Sequence, residues 1–146
     1  VTSRELWTRW LLGVLWALFG YALVLVLAGP VAGRVFAAFG SGPDGPADTA
    51  TVREYLNLPY MVLGAVLAGW TSMMISVVRG PLRDGSPWAV PALVRSLALW
   101  FVLDTVMSVV LGHPTHALFN VPIALALAGP LARLRSDSVT AAGPQG

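Results

Sequence analysis

Asp104, Ser108, His116 and Asn120 are the residues of this chain whose types and spacing could do chemistry. Asp104 interrupts an apolar run over residues 91–111 that is long enough to cross a membrane. An acid at that depth costs roughly 2.5–3.5 kcal/mol on insertion scales, so structure or function must offset it. Ser108 lies one helical turn from Asp104 on the same face, and His116 one turn from Asn120. The short turn Gly112-His113-Pro114 makes the flanking runs antiparallel neighbours, which sets Asp104 near the depth of Ile123 and within a turn of Asn120. Counting inward along the first apolar run brings Tyr21 to a similar level. These five residues are expected to form a polar column opening toward the outer face.

Two chemistries fit such a column. An isolated carboxyl in hydrocarbon takes up a proton, because desolvation disfavours its charged form. With a histidine nearer the surface it would resemble a proton relay. The competing expectation is a structural lock, in which a neutral Asp104 donates to Asn120 or to the Leu118 carbonyl. Pro122 deprives that carbonyl of its helical donor, and membrane helices kinked by proline commonly recruit a neighbouring side chain to replace it.

The elements that position these residues follow from composition. Of 146 residues, 56% are hydrophobic and 11% charged, whereas soluble domains carry about 25% charged residues. The charges gather between four apolar runs, at about 6–28, 60–78, 91–111 and 115–134. At 1.5 Å per residue each run spans about 27–35 Å, which matches the hydrocarbon core of a bilayer. The expected fold class is therefore all-α: a transmembrane four-helix bundle in one domain over residues 1–135. The first run is too long for a secretory signal peptide.

Arg4, Arg9, Arg79, Arg83, Arg133 and Arg135 lie beside one set of run ends, against Arg34 and Arg53 at the other. The positive-inside rule then places the N and C termini in the cytoplasm, with Trp7, Trp10 and Trp88 in an interfacial belt. An outer loop is expected over 29–59, with a turn-rich stretch at 40–46. Thr51 and Glu54 match a capping box for a short interfacial helix over 52–58. The polar tail, 136–146, is expected to be disordered and cytoplasmic.

Small residues recur at four-residue spacing on two runs: Gly64, Ala68, Ser72 and Ser76 on the second, and Ala124, Ala128 and Ala132 on the fourth. Such stripes let helix backbones approach closely, within a bundle or across a homodimer. Arg95 lies nine residues before Asp104 and about half a turn out of phase, too distant to pair with it. It is expected to snorkel to the headgroups, or to hold an anionic headgroup from a cytoplasmic groove.

Several functions are disfavoured. There is no cysteine, which removes disulfides, thiol chemistry and cysteine-held metal clusters. His113 and His116 lack a third ligand, and no two histidines on different runs match in depth for a bis-histidine haem. Phosphate loops, serine-nucleophile motifs and zinc-protease signatures are missing. No cofactor or metal is expected. The basic balance comes from membrane-flanking arginines and does not indicate nucleic acid.

Leu63-Gly-Ala65 with Gly69-Trp70, then Trp100-Phe-Val-Leu-Asp-Thr105 with Ser108, and Asn120 after the turn, resemble small uncharacterised bacterial four-helix membrane proteins. The chain is also similar in general appearance to DoxX-like proteins. The resemblance covers about residues 55–135, implies the four-helix fold and draws attention to Asp104 and Asn120. The expected function is a non-enzymatic module of the bacterial inner membrane, binding a small molecule or lipid, or serving as a subunit of a membrane complex. The alternative is an oligomeric proton-coupled transporter or channel component using Asp104, and a membrane enzyme acting on a lipid or quinone ranks third.

Overall fold

The four apolar runs fold as four helices: α1 (Ser3–Leu27), α2 (Ala50–Val77), α3 (Ala89–Val110) and α4 (Pro114–Ala141). Each contains a stretch long and apolar enough to cross a membrane. The computed structural model describes residues 2–28 and 50–141. The turn expected at 40–46 and the Thr51 and Glu54 side chains lie outside the described residues. Two segments differ from expectation. Residues 52–58 are not a separate interfacial helix but the first turns of α2, which runs through Pro59 without a break. At the other end, α4 continues beyond Leu134 to Ala141, into the stretch read as a tail.

The chain divides into two units, one of residues 16–72 and one of residues 1–15 with 73–146. In the first, α1 and α2 meet at Gly64. A β-carbon there would lie 2.7 Å from the Ala22 carbonyl oxygen and 2.8 Å from the Leu25 β-carbon. Only glycine allows so close an approach, which is the role read for the small-residue stripe. Along the rest of the stripe Ala68 is half-buried, and Ser72 and Ser76 are exposed. Thr71 is fully buried, and its hydroxyl bonds back to the Leu67 carbonyl at 2.8 Å, which removes the cost of burying it.

The second unit is built around the α3–α4 hairpin. Gly112 adopts φ +80°, a conformation that side chains with a β-carbon disfavour. The His113 amide donates to Ser108 at 2.7 Å and the Gly112 amide to Val109 at 3.0 Å. This pair of bonds satisfies two of the last carbonyls of α3 and reverses the chain. Pro114 then opens α4 at the position where its missing amide costs nothing.

The turn fixes the register of the hairpin. Residues equally distant from Gly112 come to the same level: Asp104 with Asn120, Leu97 with Leu127, Leu93 with Leu131, Val90 with Leu134. All six of the apolar members are buried. The buried positions recur at alternating steps of three and four, the spacing of helices packed at a shallow angle. On α4 this stripe is Ala117, Asn120, Leu127, Leu131 and Leu134, whereas Ala128 and Ala132 are exposed. The alanine face expected to pack closely is therefore not the buried one. Leucine at these levels buries more apolar surface against α3 than alanine could.

Two bonds tie α1 into this unit. Arg4 donates to the Leu82 carbonyl at 3.0 Å, at the end of the π-helical turn Val78–Leu82 that follows α2. A cation on a helix's terminal carbonyl complements both the hydrogen-bond deficit and the dipole there. Trp10 donates its indole N–H to the Ala126 carbonyl at 3.1 Å. Ala126 is four residues before Pro130, so this is the carbonyl that Pro130 leaves without a helical donor. The rescue expected beside Pro122 is thus found one proline further along α4. Trp10→Phe keeps the ring and removes the donor, and is expected to destabilise the protein by about 0.6–1.7 kcal/mol in detergent unfolding. An unchanged midpoint would show that the bond contributes nothing.

Candidate functional site

The hairpin register brings together a polar layer in an otherwise leucine-rich seam. Asn120, 3% exposed, donates its Nδ2 to Asp104 Oδ2 at 2.7 Å and to Thr105 Oγ1 at 3.4 Å. Both partners present acceptor oxygens, which orients the amide with its nitrogen toward α3. His116 Nε2 stands 3.6 Å from the same Asp104 oxygen, one turn closer to the hairpin tip. Asp104 and Asn120 each lie eight residues from Gly112, about 12 Å along the helix axis. His116, four residues from Gly112, lies about 6 Å along it.

Three of the five residues read from sequence meet directly: Asp104, Asn120 and His116. Ser108 is buried on the same face of α3, and its backbone carbonyl belongs to the turn described above. Tyr21 is the remaining residue of the expected column. It belongs to the other unit, and its side chain is exposed. Leu118, whose carbonyl was the alternative partner for Asp104, points its side chain outward. Asp104 instead accepts from Asn120 and lies beside His116.

Thr105 was not anticipated. Positions one helical turn apart share a face, whereas Thr105 is rotated about 100° from Asp104. A neighbouring helix reaches both residues at once, because a long amide between two adjacent positions can bridge them. A hydroxyl next to an intramembrane acid, facing an asparagine at the same level across the turn, was the available signal.

Asp104 is only partly enclosed. Its side chain remains 35% exposed and that of His116 44% exposed, while Asn120 beneath them is closed off. The layer is therefore a half-open site with a buried floor. Beside it on α4, Thr115, Leu118, Phe119, Val121 and Pro122 line a shallow apolar groove. No group of three acids or histidines that could hold a metal occurs among the described residues. The arrangement can accept and donate hydrogen bonds to a polar group arriving from the membrane, and can pass a proton between carboxyl and imidazole. It contains no paired nucleophile and base.

These features make the chain an all-α protein, with four helices among the described residues that are each a candidate membrane span in contact with lipid. No family model, curated protein or solved structure matches it, and no family is identified.

Proposed function

We propose that this protein is a non-enzymatic membrane module that binds the polar head of a small amphiphile at Asp104, Asn120 and His116. The observation that carries this reading is the half-open layer. A fully closed lock would bury its acid, whereas here the buried amide holds Asp104 and leaves part of the carboxyl available. An exposed polar group in hydrocarbon is costly unless something pairs with it. The apolar groove beside His116 suits the ligand's chain. The arginine distribution supports a bacterial inner-membrane setting with both termini cytoplasmic, which puts the hairpin tip on the outer side.

Native mass spectrometry of protein gently extracted from membranes tests the reading. The wild type should carry a small amphiphile, and Asp104→Leu combined with His116→Ala should lose it. A bare wild-type protein, or the same adduct on the variant, would overturn the proposal.

One observation favours a second reading, proton transfer. His116 lies between Asp104 and the hairpin tip, within 3.6 Å of the carboxyl oxygen. Liposomes loaded with a pH-sensitive dye would then show proton flux that Asp104→Asn abolishes while the fold is kept. Equal flux from both proteins would remove this alternative.

A further inference from the structure

Six arginines collect toward the end of the second unit remote from the hairpin tip. Arg4 is tied to the α2 terminus through Leu82, and Trp10 places the start of α1 beside Ala126 of α4. The hairpin register sets Arg135 level with Ala89 at the start of α3. Arg79, Arg83, Arg95 and Arg133 belong to the same helix ends, and the only acids of these segments are Glu5, Asp84 and Asp137.

Arg95 differs from the other arginines of the α3–α4 pair. It lies six residues inside α3, about 9 Å from the helix start, on the face opposite Leu93 and Leu97. It is exposed, and it makes no hydrogen bond or ion pair among the described residues. Trp88, Leu99, Val102 and Val106 share its face at steps of three, four and seven, and all four are exposed. The face thus presents an interfacial tryptophan, a cation about two turns deeper, and an apolar track continuing away from the end.

We infer that Arg95 binds the phosphate of an anionic phospholipid whose acyl chain lies along Leu99, Val102 and Val106. A guanidinium reaching outward from this depth meets phosphate at the headgroup boundary, and its planar fork suits bidentate binding of phosphate oxygens. The excess of arginine around it favours lipids of net negative charge over zwitterionic ones. A free phosphate would gain nothing from the apolar track, so the occupant is the lipid. This site lies on the opposite face of α3 from Leu93 and Leu97 and does not depend on the amphiphile site at Asp104.

The test is native mass spectrometry of protein released from nanodiscs of equal phosphatidylglycerol and phosphatidylcholine. The wild type is expected to retain phosphatidylglycerol in preference, and Arg95→Gln to reduce that preference about tenfold, as loss of a charge-assisted hydrogen bond predicts. Arg95→Lys should keep part of it, because the charge remains but the fork is lost. Arg135→Gln removes the same charge from the helix end and should change the preference by no more than about twofold. Equal losses in Arg95→Gln and Arg135→Gln would overturn the site in favour of diffuse attraction. An unchanged preference in Arg95→Gln, with thermal stability like the wild type, would also overturn it. Displacement of the lipid by excess inorganic phosphate would reassign Arg95 to a soluble anion.

Discussion

Asp104→Leu should destabilise the protein by about 1–3 kcal/mol, because it leaves the Asn120 amide buried without its principal acceptor. The loss comes from Asn120 rather than from the acid itself. Asn120 is almost fully closed off, and its remaining described acceptor, Thr105 Oγ1, lies at 3.4 Å. Asp104→Asn should stay close to wild type, since a carboxamide oxygen can accept the same bond. The informative variant is the pair Asp104→Leu with Asn120→Leu, which removes donor and acceptor together and continues the leucine seam. It should recover much of the stability lost in Asp104→Leu alone, and a recovered fold without ligand would separate structural from binding roles. Reversible unfolding in mixed micelles, followed by circular dichroism, measures all three. Full stability of Asp104→Leu would mean that the polar layer does not hold the hairpin.

The second large effect is expected at Gly64. Its neighbours are a backbone carbonyl and the β-carbon of Leu25, neither of which can swing aside as the tip of a long side chain could. Gly64→Ala is expected to cost about 1–3 kcal/mol by forcing α1 and α2 apart, and Gly64→Leu more than that. Gly69 lies on the same helix with nothing within 4 Å of where its β-carbon would stand. Gly69→Ala should therefore be neutral or slightly stabilising, because alanine is the better helix former. Thermal unfolding of the two alanine variants in the same detergent makes the comparison. Equal midpoints would show that α1 and α2 do not pack at Gly64.

The polar layer bears on function through its asymmetry. A single polar position in an apolar seam commonly fixes the register of two helices at a cost in stability. Here Asn120 fills that role from the floor of the layer, with Asp104 as its acceptor. His116 stands between the acid and the hairpin tip, 3.6 Å from the carboxyl oxygen. The binding and proton-transfer readings both begin from that residue.

Much of this was legible in the sequence. Four helices long enough to span a membrane follow from the lengths of four apolar runs, because the hydrocarbon thickness sets how many residues a span must contain. The Asp104–Asn120 pair was within reach for a similar reason: a turn as short as the one at Gly112 leaves two helices little freedom of register. What only the tertiary structure decided is which face of each helix meets which neighbour. In a soluble protein, the pattern of apolar residues marks the buried face. In these helices lipid-facing and protein-facing positions are both apolar, so the pattern is nearly silent about rotation. That is why Gly64 is buried while Ser72 and Ser76 are exposed, and why the leucine stripe of α4 is buried in place of Ala128 and Ala132. It is also why Trp10 serves the carbonyl freed by Pro130 rather than the one freed by Pro122, and why Thr105 joins the site.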